Sequence, residues 1–441
     1  MRLWRRARRT ARSGRSLLKA LGPGLVTGAA DDDPSGITTY TQAGAQLGLG
    51  SLWMAVLTLP LMIGIQLVSA RIGWESGRGI AANARAHLPR SVLWLLVGAL
   101  AAANTINLGA DLAAMASVSE LAFGGASRAW LLSFALFSLA LQVFLPFPRY
   151  APLLKLMTLS LLAYVGVAFS LQVPWLEVAR ASLVPTLAGA TVGDGRGWML
   201  LVAVLGTTIS PYLFFWQASH EAEQRSASNA RRRARGLGPR AHQEETSWAW
   251  RHLRRIKIDT VFGMLLSNAV AFFVMLAAAL TLHAHGITDV QTTAEAASAL
   301  RPIAGEFAFM LFACGIVGTG LLAVPVLAGS AAYALAEAFG WPASLDIKPG
   351  AARGFYAALT GAVLIGVGMD FYHLDPVQEL LWSAVINGLA AVPIMAIVLW
   401  LAQQPAVMGE RVISRRLRVV CWVATAAMAA ASIAFLADML Q

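Results

Sequence analysis

The sequence predicts an all-α integral membrane protein, and three observations carry that prediction. The 441-residue chain is 57% hydrophobic and 13% charged, with a mean hydropathy of +0.63. Soluble domains are about half apolar and roughly a quarter charged. Eleven stretches are apolar for long enough to cross a bilayer, since about 30 Å of hydrocarbon takes about 20 helical residues. None alternates with period two, which favours a helical bundle over a barrel, because each span must satisfy its own backbone. A chain this poor in charge is not a soluble enzyme, a disordered protein or a nucleic-acid binder, despite its net charge of +11. Cys314 and Cys421 both sit in apolar runs, which excludes a disulfide framework and a cysteine-ligated zinc site.

The spans are expected near 20–48, 51–71, 91–119, 129–147, 150–173, 198–220, 258–284, 304–338, 354–369, 377–402 and 417–439. Residues 1–19 form a basic tail. The apolar run behind it carries Asp31, Asp32 and Asp33 and no small-residue cleavage pattern, so the tail is expected to stay in the cytoplasm rather than be removed. Charge then tests the count. With the N-terminus inside, 30 of the 34 Lys and Arg residues fall in inner segments, and Arg128, Arg180, Arg196 and Arg301 are the exceptions. One missed or invented span would scramble this asymmetry, so the C-terminus is expected outside. The basic stretch 225–257 is expected to be a polar cytoplasmic loop, mobile in its Gly/Arg part, that fixes topology and touches anionic lipid. His220, Glu221 and Glu223 are expected as solvated charges at the inner mouth, and His283 and His285 as surface histidines. The small-residue run around Gly315–Gly329 is expected to pack helices closely.

Two spans carry their own interruption. The first reads GPGLVTGAADDDPSGITTYTQAGAQLG and the sixth WMLLVAVLGTTISPYLFFWQASHE. Asp33-Pro34 and Ser210-Pro211 each read as an N-cap followed by proline at the first helical position, so each span should stop and restart mid-membrane. Pro34 and Pro211 lie five spans apart. Because five is odd, residues 198–402 are expected to repeat residues 20–173 upside down, with 417–439 as an additional helix. Interrupted spans at matching positions of two halves point to a transporter site at the bilayer midplane. A carboxylate at the bilayer centre costs at least about 2.5–3.5 kcal/mol, and three in a row need protons or a bound cation.

These segments resemble the natural resistance-associated macrophage protein (NRAMP) family of proton-coupled divalent manganese and iron importers. The family's first-span Asp-Pro-Gly-Asn motif reads Asp33-Pro34-Ser35-Gly36 here, followed by a family-like Gln42–Gln46. Its sixth-span Gly-Ala-Thr-Val-Met-Pro-His motif reads Gly206-Thr207-Thr208-Ile209-Ser210-Pro211-Tyr212. The fifth span, Leu153 to Val165, also looks familial. The resemblance implies a LeuT-type fold of two inverted five-helix repeats plus one helix. It also implies a non-enzyme, with Asp33 as the metal-binding carboxylate and the backbone carbonyls of Ala30 and Thr207 as further ligands. Asp111 matches a family aspartate implicated in proton movement, while the glutamate expected three residues later is Ala114.

The departures carry chemistry. Gly36 stands for the family asparagine, Ser210 for its soft methionine and Tyr212 for its histidine. Hard cations bind sulfur poorly, so Ser210 leaves an all-oxygen site of Asp33, carbonyls, hydroxyls and water, with Asp32 or Asp31 supplying charge or lining the entry path. Such a site suits a hard cation that keeps several waters. The expected function is import of a divalent metal by alternating access, either Mn2+/Fe2+ or a Mg2+-like ion. Proton coupling is expected to be weak or rerouted through Asp111 and the triplet Asp31, Asp32 and Asp33. The alternatives are an uncoupled carrier of hydrated Mg2+ and a carrier of a small organic cation with Tyr212 and Trp216 as aromatic walls. The expected setting is a bacterial inner or plasma membrane. A single chain should suffice, with the metal as cargo, protons as the candidate coupling ion, and no cofactor or nucleic acid.

Overall fold

In the computed structural model, which describes residues 22–146, 149–150, 152–153, 162–169, 171–185, 196–238, 242–290, 293–370 and 376–440, the first span is two helices rather than one. α1 (Pro23–Ala30) and α2 (Pro34–Leu47) flank Asp31–Asp33. Each begins with proline, whose missing N–H is no loss in a first turn and whose fixed φ suits it. α3 (Leu52–Ser76) and α4 (Ile80–His87) lead into the long α5 (Arg90–Phe123) and α6 (Ser127–Phe144). α7 (Leu162–Phe169) and α8 (Trp175–Leu183) follow. The sixth span is likewise two helices, α9 (Arg196–Thr208) and α10 (Pro211–Ala234). The chain continues through α11 (His242–Thr281), α12 (Thr293–Phe339), α13 (Arg353–Asp370), α14 (Pro376–Leu401), the single turn α15 (Pro405–Met408) and α16 (Arg415–Met439). The described residues contain no strand.

Eight helical stretches among the described residues are long and apolar enough to span a membrane, against the eleven expected. Expected spans 1 and 2 join there as one stretch, Pro34–Ser76. The 18-residue α13 carries Arg353 and Asp370 at its ends, which dilutes its hydropathy. Most of the fifth span, including the family-like stretch from Leu153, lies outside the described residues, as does the 1–19 tail. Large apolar side chains lie on the outside as well as in the core: Leu95, Leu136, Phe144, Ile365 and Ile433 are all exposed. Asp31, Asp32, Asp33 and Asp111 are buried. An apolar exterior with the carboxylates kept inside is the arrangement a lipid solvent demands.

The packing crosses over between the halves. α11 lies along both α1 and α2, and α10 lies along α3. The four half-helices meet reciprocally, α9 on α2 and α10 on α1, while α5 packs along α12 and α14. α1 approaches α11 backbone to backbone, since a Cβ on Gly28 would sit 2.2 Å from the Gly263 carbonyl and one on Gly263 would sit 2.1 Å from the Gly24 carbonyl. Asp259 of α11 reaches the first turn of α1. Its Oδ1 accepts from Gly22 N at 2.9 Å and Leu25 N at 3.3 Å, and its Oδ2 accepts from Gly24 N at 2.8 Å. Proline occupies the one position between them, so a single carboxylate satisfies every N–H of that turn, a role helix ends demand of some partner.

The stretch 225–257 is not the polar loop expected. α10 runs on to Ala234 and α11 starts at His242, making a helical hairpin. Arg231, Arg232 and Arg233 occupy the last turn of α10, with Glu244 and Glu245 in the first turn of α11, so both ends complement their helix dipoles. Arg232 pairs with Glu244 at 2.7 Å. The hairpin grips the end of α3, where the His252 ring stacks on Trp74 at 3.4 Å between centroids. Arg225 donates to the Trp74 carbonyl and pairs with Glu75, which Arg411 also meets at 3.0 Å. Segments 71–90, 225–257 and 411–418, assigned to one side by charge, therefore share one end of the bundle.

Candidate functional site

The interruptions in the two broken helices differ in chemistry. Asp33 caps α2, its Oδ1 accepting from Gly36 N at 2.6 Å and from Ser35 Oγ at 3.0 Å. A Cβ at Gly36 would stand 3.1 Å from that oxygen, so glycine lets the cap close tightly. Ser210 occupies the corresponding position before Pro211 but makes no side-chain cap. Its hydroxyl turns back to the end of α9, donating to Thr207 O at 2.7 Å and Gly206 O at 2.9 Å. The cap expected of Ser210 is thus replaced by a bond to carbonyls the helix end leaves orphaned.

Asp33 faces α5. Its Oδ2 accepts from Asn107 Nδ2 at 2.7 Å and lies 3.4 Å from the Tyr212 hydroxyl. Asn107 is held in turn, its Oδ1 accepting from Ser35 Oγ at 2.7 Å and from Ser383 Oγ of α14 at 2.6 Å. One turn further along α5, Asp111 accepts from Ser35 N at 3.0 Å. Asp33 therefore has two undivided donors, Gly36 N and Asn107 Nδ2, beside a Ser35 hydroxyl that it shares with Asn107, a cradle built from α2 and α5 of the kind a binding group needs. Tyr212, which stands where the family motif has histidine, donates to Ala30 O at 2.6 Å. The two backbone oxygens expected as ligands, on Ala30 and Thr207, thus each accept a hydroxyl hydrogen here.

The aspartate triplet divides. Asp33 turns to α5, whereas Asp31 and Asp32 turn to Ser267 of α11, whose Oγ lies 2.8 Å from Asp31 Oδ2 and 3.3 Å from Asp32 Oδ1. Asp32 is therefore not beside Asp33 in its cradle. Pro34 and Pro211 serve as helix starts. Among the described residues no three His, Cys, Asp or Glu side chains converge to hold a metal, so any cation at Asp33 depends on neutral oxygens for its remaining ligands. Those oxygens are hydroxyls, amides and carbonyls, with no thioether or imidazole among the contacts.

Four contributors escaped the sequence reading: Asn107, Ser267, Ser383 and Asp259. Asn107 and Asp111 are four residues apart on α5, a spacing that places both on one helix face, and that was a usable signal. The other three act on partners far away in the chain, which sequence spacing does not reveal. His220 and Glu221, expected to be solvated, are buried, with Glu221 3.2 Å from His252 and His220 3.6 Å from Glu223. His283 and His285 are exposed, as expected.

Two helices broken at mid-span, crossing half on half around a buried polar centre, define a membrane transporter of the discontinuous-helix class. Residues 24–438 match the family model described as "Natural resistance-associated macrophage protein-like". The chain belongs to this family, whose members are transporters and not enzymes. It is 27% identical over 433 residues to the divalent metal cation transporter MntH of Klebsiella pneumoniae (strain 342), covering 95% of this chain and 94% of that one. It is 26% identical over 424 residues to MntH of Deinococcus radiodurans, covering 93% and 88%. Its fold superposes on the Eremococcus coleocola manganese transporter with a TM-score of 0.73 at 17% identity, covering 96% of this chain and 87% of that one. MhsT in complex with L-phenylalanine shares the architecture at a TM-score of 0.60 and 12% identity, covering 95% and 98%. The expected LeuT-type, all-α membrane fold is the one found.

Proposed function

We propose that this protein carries a divalent metal ion into the cytoplasm by alternating access, with the ion held at Asp33 between the interrupted centres of α1/α2 and α9/α10. The observation that carries the reading is the buried Asp33 carboxylate, fixed by Asn107, Ser35 and Gly36 at the place where both helix breaks meet. Ala30 O, Thr207 O and the Ser210 and Tyr212 hydroxyls are the remaining oxygens within its reach as the two helices move. Curated relatives are named as divalent metal cation transporters and a structural neighbour as a manganese transporter, which supports the cargo class. The reciprocal packing of α10 on α3 and α2 on α11 supports two halves related by inversion.

The metal follows from the ligand chemistry. Carboxylate, carbonyl and water oxygens suit Mn2+, Mg2+ and Ca2+, whereas thioether and imidazole select softer ions. Ser210 and Tyr212 remove both soft positions, so this reading favours Mn2+ and Mg2+ over Fe2+. Coupling to protons is weak on the same reading, because the family's histidine and third-span glutamate are Tyr212 and Ala114, leaving Asp111 as the titratable neighbour on α5. The test is uptake by proteoliposomes. Wild-type protein should accumulate Mn2+ or Mg2+ without strong acidification of the lumen, and Asp33→Ala should abolish uptake while eluting as a folded monodisperse protein. Retained uptake in Asp33→Ala overturns the site, and strong lumenal acidification overturns the coupling.

A further inference from the structure

The split of the aspartate triplet leaves one half of it chemically unfinished. Asp33 has two donors to itself, Gly36 N and Asn107 Nδ2, but Asp31 and Asp32 share one, because Ser267 has a single hydroxyl hydrogen for two carboxylates. Asp31 Oδ1 and Asp32 Oδ2 have no hydrogen-bond partner, and the two residues are 1% and 0% exposed. Among the described residues no Lys, Arg or His reaches either one as an ion pair. Buried carboxylates are normally hydrogen-bonded or paired, and a pair of them one residue apart, inside a helix break, is an expensive object without a counter-charge.

We propose that Asp31, Asp32 and Ser267 form a second cation subsite, distinct from the Asp33 centre and facing α11 rather than α5. It rests on the reading of this chain as a divalent-metal carrier. Two carboxylates match the charge of one divalent ion, and their oxygens with the Ser267 hydroxyl make an all-oxygen set, so the ligand is a hard divalent cation with water completing its shell. The subsite lies on the break itself, between the end of α1 and the start of α2, so an ion there and an ion at Asp33 occupy opposite faces of one three-residue segment. Passage between the faces is then a short transfer along Asp31–Asp33 rather than entry from bulk water.

The experiment counts ions bound by the full-length protein in lipid nanodiscs, titrating Mg2+ and separately Mn2+ by calorimetry and equilibrium dialysis. Wild type should bind two ions at saturation, D31N/D32N one, and D33N one. Should the double variant fold poorly, S267A removes only the shared hydroxyl. It should still bind two ions, with the weaker site weakened about tenfold, as expected for one lost polar ligand. Two ions retained by D31N/D32N overturn the subsite. So does one ion in wild type that is lost in D33N and untouched in D31N/D32N, the signature of carboxylates that share a proton instead, and that result leaves the Asp33 reading standing. No ion bound by wild type overturns both.

Discussion

Asp259→Ala isolates the tether between α11 and the first half-helix. The substitution removes the three hydrogen bonds that a buried carboxylate accepts from Gly22 N, Gly24 N and Leu25 N, and leaves those three donors without that acceptor. Hydrogen bonds to a charged group contribute about 1.5–3 kcal/mol each, but they are not additive, and helix N-caps cost up to about 2 kcal/mol when removed. The geometry therefore sets a loss of about 2–4 kcal/mol in the local stability of α1, or about a 30- to 900-fold rise in its opening equilibrium. Hydrogen–deuterium exchange in nanodiscs reads that equilibrium directly. Peptides covering 22–30 should exchange faster by that factor, while peptides from α5 and α12 stay unchanged. Asp259→Asn keeps an acceptor oxygen for one part of the turn and should fall between the two. Exchange across 22–30 that stays within twofold of wild type in Asp259→Ala would refute the claim that this carboxylate holds the half-helix.

The other predictions probe the cradle and the packing. Asn107→Ala removes the 2.7 Å bond to Asp33 and should weaken divalent-ion binding by about 10- to 150-fold, the range for one bond to a charged group, read by calorimetry in nanodiscs. Tyr212→Phe frees Ala30 O from its hydroxyl partner and leaves a buried acceptor unsatisfied. It should lower the melting temperature of the protein without added metal, and saturating Mn2+ should restore more of that loss than in wild type if the carbonyl serves as a ligand. Gly28→Ala drives a methyl into backbone atoms of Gly263 and should cost at least about 1–3 kcal/mol, the scale of overpacking. Gly98→Ala meets nothing within 4 Å and should leave thermal unfolding in detergent unchanged or slightly raised.

Much of this architecture is legible in the sequence, and the part that is not has a common cause. Long apolar runs and the placement of arginine give the spans, and Pro34 and Pro211 mark the breaks, because those signals are local. Asp33 as a cap is local too, being three residues from Gly36 N. Ser210 looked equivalent and is not: a serine before proline can cap forward or bond backward, and the choice depends on whether the carbonyls behind it have other partners. The hairpin at 225–257 was hidden by composition. Its Gly and Arg residues read as a loop, yet the arginines sit at a helix C-terminus where their charge is favourable. Asn107, Ser267, Ser383 and Asp259 act across more than seventy residues of chain, and nothing in one sequence says which buried polar side chain will find which. The division of Asp31 and Asp32 from Asp33 was unreadable for the same reason, because it depends on which neighbouring helix each face meets.

The glycine contact between α1 and α11 has a mechanical consequence. Gly24 and Gly28 mesh with Gly263 with no side chains between the backbones, and Asp259 locks the adjoining turn. A joint of this kind has no slack, so α1 cannot tilt alone and must swing with α11. α11 continues past α1 as one arm of the hairpin. Because the same hairpin is clamped to the end of α3 through His252 on Trp74 and Arg225 on Glu75, α1, α11 and the end of α3 form one linked unit, and a displacement of the first half-helix has to carry all three.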